Sequence, residues 1–401
     1  MKLSVTGSIE WQNTIGGNND DYLQSIQQTT DGGYILGGSS YSGISGDKTE
    51  SNQGMYDYWI VKLFATGVIQ WQNTIGGNDY DQLQSLQQTT NGGYVVGGSS
   101  YSGISGDKTS DNKGGLDFWV VGLNANGAIQ WQKNIGGSED DNLATIKQTV
   151  DGGYILGGTS KSGISNQKTE NSQGLNDYWI IKISSIGEIQ WQNTIGGSGE
   201  DFLIDIHQTI DGTYMVGGYS SSGTSGDKTA PNMGSEDYWI LKLSSLGIIQ
   251  WQNTIGGNHS DKLSHIQQTT DGGYIMGGDS NSPISGNKTE GNQGGSDYWV
   301  MKFTSVNDNP LAVDFSLPTT NCVSEPLTFT NNSNGNTYQW LIDGLFVSND
   351  ADLNYSFAQP GAYTITLIGA NSICNDTSTR IFNIAAPSTI NYSSSVNGST
   401  V

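Results

Sequence analysis

The chain has 401 residues with 16 basic and 38 acidic side chains, a net charge of −22, which disfavours attraction to nucleic-acid phosphates or to anionic membrane. Charged residues make up only 13% while glycine reaches 57 residues and proline 7, a turn-rich β composition and not a helical one. No run of 18 apolar residues occurs, so no transmembrane helix is expected, and residues 1 to 12 lack the apolar centre of a signal peptide.

From the first residues onward the chain repeats. A Trp-Gln pair recurs with Trp at 11, 71, 131, 191 and 251, a strict period of 60. In phase with it run an Asp-Tyr/Phe-Trp string at Asp57, Asp117, Asp177, Asp237 and Asp297, and a Gly-x-Tyr turn beginning at Gly32, Gly92, Gly152, Gly212 and Gly272. Such periodicity belongs to solenoids, propellers and arrays.

Each unit predicts four strands, in the first unit 23–29, 34–40, 58–63 and 68–75, separated by Asp-Gly-Gly, a long polar loop and Ala-Thr-Gly. The third strand is apolar on both faces, so its sheet needs a neighbour on each side. Radial stacking supplies those neighbours, and residues 1–306 are read as a β-propeller of five four-stranded blades. The tryptophans are expected in the cores between blades, and Gly37-Gly38 where backbones approach closely. Met1-Lys2-Leu3 aligns with Val61-Lys62-Leu63, and the fifth unit has no fourth strand after residues 298–303. Two readings stay open: residues 8–15 supply that strand and close a five-bladed ring, or the chain is part of a longer array.

After a short Asn-Asp-Asn-Pro linker the period stops, and residues 311–385 carry six short strand candidates at sandwich-like spacing, with 386–401 a Ser-rich tail. Residues 338–344 (YQWLIDG) and 355–367 (YSFAQPGAYTITL) resemble the PKD domain, an Ig-like module of extracellular proteins. One acidic residue of that family's usual W-D-F-G-D-G string is missing around Trp340. The 60-residue units are similar to repeats of large secreted bacterial proteins that carry PKD modules and leave the cell by type IX secretion. The resemblance implies secretion or display on the outer cell surface. The only cysteines, Cys322 and Cys374, both lie in the second module, and one disulfide between them would suit an oxidising compartment.

Three residue sets are candidates for chemistry. The polar loops place Asp47, Asp107 and Asp227 among Asn, Thr and Gly oxygens, a pattern compatible with Ca²⁺, or with Asx-turns that satisfy the loop's own backbone; Gln167 and Asn287 stand at the same place in the other units. The recurring carboxylates Asp21/Asp57 and their copies suggest strand-end capping, because fivefold repetition does not suit an acid/base pair that needs two unlike environments. The third set is where the repeats disagree. On the first strand, the Ser25 position becomes Ser85, Thr145, Asp205 and His265, and the Gln27 position becomes Gln87, Lys147, His207 and Gln267. If that strand is innermost, Lys147, Asp205, His207 and His265 gather from adjacent blades beside the axis as a ligand site.

No nucleophile elbow, phosphate loop or Cys/His cluster is present. The leading expectation is an extracellular binding or adhesion scaffold without catalytic activity, taking a glycan or protein ligand. The alternatives are a glycan-active propeller enzyme centred on Asp205 and His207, and a structural surface-layer or stalk component.

Overall fold

The structure, a computed structural model, describes residues 1–303, 312–333, 335, 337–370 and 375–386. The chain divides into two compact units, Met1–Thr304 and Ser305–Val401.

The first unit opens with a ribbon of β1 (Lys2–Leu3) and β2 (Ile9–Trp11). The first full sheet follows: β3 (Asp21–Gln28), β4 (Tyr34–Ser40), β5 (Asp57–Leu63) and β6 (Ile69–Ile75). The second comprises β7 (Asp81–Gln88), β8 (Tyr94–Ser100), β9 (Asp117–Leu123) and β10 (Ile129–Ile135). The third comprises β11 (Asp141–Gln148), β12 (Tyr154–Ser160), β13 (Asp177–Ile183) and β14 (Ile189–Ile195). The fourth comprises β15 (Asp201–Gln208), β16 (Tyr214–Ser220), β17 (Asp237–Leu243) and β18 (Ile249–Ile255). The fifth has three described strands, β19 (Asp261–Gln268), β20 (Tyr274–Ser280) and β21 (Asp297–Phe303).

Within every sheet the strands pair antiparallel in chain order, a meander set by its turns. In the first hairpin Gly32 takes φ 81°, and Asp31 Oδ1 accepts the Gly33 N–H at 3.0 Å. That turn chemistry repeats because the Asp-Gly pair repeats, with Asn91-Gly92 serving in unit two. In the long loop Gly46 takes φ 53°; unit three places Asn166 there at φ 49°, the side chain that best tolerates a left-handed backbone after glycine.

A β-bulge between Leu23 and Ser25 recurs in every first strand. It breaks the simple alternation, so Leu83 and Leu86, three residues apart, both enter the core against the preceding sheet. The paired glycines answer this geometry: a Cβ on Gly38 would lie 1.9 Å from the Tyr22 carbonyl at the bulge, and one on Gly37 would meet the Leu83 and Leu86 side chains of the next sheet. Each first strand packs on the first, second and third strands of the sheet before it. The first strands thus form the hub, and β5, β9, β13 and β17 are buried along their whole length.

Tryptophans fill the junctions as expected. Trp119, Trp179 and Trp239 are fully buried, and the rings of Tyr58 and Trp119 lie 5.0 Å apart, Phe118 and Trp179 5.1 Å. The array is propeller-like in its repeated sheets, but closure by residues 8–15 is not observed. β2 pairs with β1, Lys2 opposite Trp11 and Leu3 opposite Ile9, the register of Lys62 with Trp71 and Leu63 with Ile69. Trp11 Nε1 donates to the Ala65 carbonyl at 3.0 Å and Asn13 Nδ2 to that of Gly67 at 2.5 Å, seating the ribbon on sheet one. Among the described residues β21 pairs with β20 alone.

The second unit places β22 (Phe315–Ser316), β23 (Leu327–Asn331) and β26 (Leu353–Tyr355) in one sheet, and β24 (Thr337–Ile342), β25 (Leu345–Ser348), β27 (Gly361–Ala370) and β28 (Asn375–Ile384) in another. Their shared core centres on Phe315, Phe329, Trp340 and Phe357. The strand 345–348 was not expected from sequence. Its hairpin is made by Asp343 and Gly344, both with positive φ (51° and 79°), the Asp-Gly signature of a tight two-residue turn. Asp343 Oδ1 also accepts the Thr364 N–H at 2.8 Å, tying the turn to β27.

Candidate functional site

The hub is where the repeat-breaking residues meet. In the consensus arrangement the first strands are cross-linked by small polar groups: Ser85 Oγ accepts the Ile146 N–H at 3.2 Å and donates to the Ile146 carbonyl at 3.3 Å. Gln27 Oε1 likewise accepts the Gln88 N–H at 2.7 Å. A carboxylate at the serine position cannot donate to a carbonyl, so Asp205 takes other partners. Its Oδ1 accepts the Ile206 N–H at 3.0 Å, and its Oδ2 meets His207 Nε2 at 2.9 Å and His265 Nδ1 at 3.4 Å.

Asp205 is buried, His207 half-buried, and the His265 side chain 77% exposed. Burial pushes the Asp205 carboxyl up, but the hydrogen bond and charge of His207, with Lys147 on β11 and His265 on β19 adding to it, hold it below its ordinary value. Residues from three successive sheets therefore share one electrostatic environment. The cluster is an anchored carboxylate presenting two imidazoles and a lysine, a set of hydrogen-bond donors in an otherwise acidic molecule.

Asp47, Asp107 and Asp227 are not brought together; each sits in its own loop. Asp107 Oδ2 accepts the Gly76 N–H at 3.2 Å while its own N–H donates to the Gly76 carbonyl at 2.8 Å. Asp47 and Asp227 grip Gly16 and Gly196 in the same way. Gln167 and Asn287 make the equivalent contacts with Gly136 and Gly256, so an amide oxygen serves as well as a carboxylate. Among the described residues no group of three His, Cys, Asp or Glu is placed to hold a metal ion. Cys322 is exposed, and its expected partner Cys374 lies outside the described residues.

The repeated carboxylates from Asp57 to Asp261 are buried caps, while Asp21 and Asp297 at the two ends are partly exposed. Asp81 Oδ2 accepts the Gly77 N–H at 2.7 Å and the Ser102 hydroxyl at 2.9 Å, and Asp117 Oδ2 accepts the Lys113 N–H at 2.6 Å. The second oxygen of Asp57, Asp117, Asp177 and Asp237 has no hydrogen-bond partner. Burial pushes Asp57 up to about 7 and Asp141 and Asp177 up to about 6.

Two features escaped sequence reasoning. The lysine of the Asp-Lys-Thr string is buried in every unit, its ammonium over the ring of the third-strand tryptophan: Lys108 over Trp119 at 5.7 Å, Lys168 over Trp179 at 5.4 Å. Burial lowers Lys108, Lys168 and Lys228 to about 8. The other is a group of tyrosines, with Tyr56 packed against Tyr22, Tyr41 and Tyr80 at 5.9, 5.3 and 5.7 Å. The equivalent positions one unit later read Leu116, Gln82, Tyr101 and Asp140, so a column-by-column comparison of the repeats would have exposed it.

No protein-family model matches the chain. It is 22% identical over 346 residues to the regulatory protein FlaEY of Caulobacter vibrioides, covering 79% of this chain and 35% of that protein. The chain thus spans about a third of that relative's length. Among solved structures it is similar to a protein of unknown function from Dyadobacter fermentans, with TM-score 0.43, 10% identity and coverage of 92% of this chain and 97% of that one. It is also similar to the extracellular domain of a putative hybrid two-component system from B. thetaiotaomicron, with TM-score 0.22, 11% identity and coverage of 90% and 68%. A Synechocystis apocarotenoid oxygenase aligns with TM-score 0.27, 9% identity and coverage of 93% and 95%.

Proposed function

We propose that the chain is an extracellular or surface-displayed binding scaffold without catalytic activity, whose hub cluster of Lys147, Asp205, His207 and His265 contacts a glycan bearing hydroxyl or carboxylate groups. The sandwich unit acts as a PKD-type spacer, and export follows the type IX route implied by the repeat and module resemblance. The single observation that supports the reading is the convergence of Asp205, His207 and His265 at the hub, on a scaffold whose first two units carry Ser and Gln there and whose third carries Thr145 and Lys147. One recognition site on a repeated frame requires such a local break in symmetry. Both oxygens of Asp205 are already engaged, which suits a fixed anchor for donors better than a group that must give and take a proton.

The Asp205–His207 hydrogen bond is also the pairing that orients a general base, and it favours the alternative of a glycan-active enzyme. A glycan array followed by hydrolysis assays on every bound glycan separates the two. The scaffold reading expects binding that falls at least tenfold in His265→Ala, stays unchanged in Ser25→Ala, and proceeds without turnover. Turnover abolished in Asp205→Ala would overturn it.

A further inference from the structure

One junction of the array departs from the repeat in a way the fold does not require. Between sheets one and two, Tyr22 at the start of β3, Tyr41 after β4, Tyr56 before β5 and Tyr80 before β7 form one cluster. Tyr56 lies at its centre, its ring centroid 5.9 Å from Tyr22, 5.3 Å from Tyr41 and 5.7 Å from Tyr80, with interplanar angles of 35°, 33° and 21°. Tyr22 is 53% exposed and Tyr41 43%, while Tyr56 and Tyr80 are half-buried.

At the other junctions the Tyr56 and Tyr80 positions make polar contacts instead. The Asp140 carboxylate accepts the Leu116 N–H at 3.1 Å, Asn176 donates to Glu200, and Ser260 Oγ donates to Glu236 at 2.6 Å. Polar contacts therefore suffice to fasten that crossing, and four tyrosines at these positions occur in one unit alone. Their exposure belongs to the positions and not to the end of the array. Tyr101, one unit later at the Tyr41 position, is 41% exposed, and Gln82 at the Tyr22 position is exposed although its sheet has a neighbour on each side.

The arrangement discriminates among ligands. A cation is held by aromatic faces that converge on it, and rings within 35° of parallel to Tyr56 do not enclose a point. A stable protein interface takes about 800 Å² from each partner. The exposed parts of these four rings offer on the order of 300 Å². An anion is opposed by Asp20, whose Oδ2 accepts the Tyr56 hydroxyl at 3.4 Å, and by Asp79 next to Tyr80, in a chain of net charge −22. A neutral sugar meets none of these objections. The C–H face of a pyranose is flat and apolar and packs on an aromatic face. Its hydroxyls find an acceptor in Asp20 and donors in the phenol groups at the rim.

We propose that Tyr22, Tyr41, Tyr56 and Tyr80 form a glycan-binding platform that takes a short stretch of neutral oligosaccharide, stacked on the exposed rings of Tyr22 and Tyr41. The platform shares no residue with the hub cluster, so it stands or falls separately from the hub as a ligand site.

Isothermal titration of the full chain tests this with short neutral oligosaccharides of glucose, mannose, galactose or xylose, with their uronic-acid counterparts and with oligolysine. At least one neutral oligosaccharide is expected to bind, its affinity falling about tenfold in Tyr22→Ala and in Tyr41→Ala. Tyr41→Phe keeps the ring face and stays close to wild type, and Tyr101→Ala and His265→Ala leave that binding unchanged. Three results overturn the proposal: no neutral oligosaccharide binds, only the uronic-acid or oligolysine probes bind, or every neutral oligosaccharide that binds is lost in His265→Ala and kept in the tyrosine variants. The last of these leaves the hub reading intact. Should an alanine variant fail to fold, nitration of the wild-type tyrosines with and without the bound oligosaccharide decides. Protection of Tyr22 and Tyr41 but not of Tyr101 supports the platform, and unaltered nitration overturns it.

Discussion

The two compact units bury different things. The sandwich encloses one apolar cluster, and among its described residues none of the buried side chains is polar or charged. The array surrounds each tryptophan junction with carboxylates and lysines that are almost wholly withdrawn from water, such as Asp81, Lys108 and Asp117. A sandwich core is closed by its own two sheets, so apolar packing suffices. Each array sheet must instead be fastened to its neighbours at the strand ends, where backbone N–H groups of the Gly-Gly crossovers would otherwise be buried without acceptors. The buried carboxylates accept those N–H groups, and the cost is charge held in a poorly solvated place.

The comparison breaks most severely at the aromatic centres. Trp179→Ala in the array and Trp340→Ala in the sandwich should each cost about 3–5 kcal/mol. In calorimetry each should lower one transition and leave the other in place; a shift of both transitions by either variant would show that the units unfold as one.

The next effect is pH dependence, confined to the array. Asp57, Asp141 and Asp177 are raised from 3.8 to about 7, 6 and 6 by burial, so the stability they contribute is full below 3.8 and is lost as pH rises through 6 to 7. Asp31 and Asp151 are lowered to about 2, Asp31 by the Thr29 hydroxyl and Lys62, and Asp151, against the upward push of burial, by the Thr149 hydroxyl and Lys182. Their contribution is present above 3.8 and lost as pH falls towards 2. The array transition should therefore have its highest Tm near pH 4, fall as pH rises from there to about 7 and level off above it, while the sandwich transition stays nearly level. Equal slopes for both would refute the contrast.

A smaller effect concerns Lys182, which pairs with Asp151 at 2.9 Å, as Lys62 does with Asp31. Unit two lacks both partners: Asn91 replaces the aspartate, and Gly122 leaves room that the Trp131 ring fills. The double variant Asp151→Asn/Lys182→Gly should cost less than Lys182→Gly alone, by up to about 1 kcal/mol in urea unfolding; equal costs would mean the charges do not interact. Smallest is the response to chelation. Because Asp47, Asp107 and Asp227 already serve glycine N–H groups, EGTA should leave the array Tm unchanged, and a fall reversed by calcium would restore the metal reading.

Much of the array is legible in its sequence. The strict period of 60, the Asp-Gly turns and the doubly apolar third strand determine sheets that must stack, and the substitutions at 147, 205, 207 and 265 point to the hub. Those signals are local or periodic, and strand and turn chemistry acts over a few residues. The lysine-on-tryptophan contacts are hidden because lysine and tryptophan come from a loop and a strand that meet only in the folded sheet, whereas the tyrosine group leaves a trace in the columns where unit one departs from unit two. The β-bulge that sets Ser25 and its counterparts is hidden too, since it is visible only against the partner strand. The strand 345–348 escaped notice although Asp343-Gly344 announces its turn.

Sequence alone therefore determined the repeating unit and where its symmetry breaks, because period, turn residues and binary pattern are properties of short segments. Only the tertiary structure decided how the ends behave. Residues 8–15 could pair with residues 1–3 or with 298–303 by identical chemistry, and the structure pairs β2 with β1, whereas β21 pairs among the described residues with β20 alone.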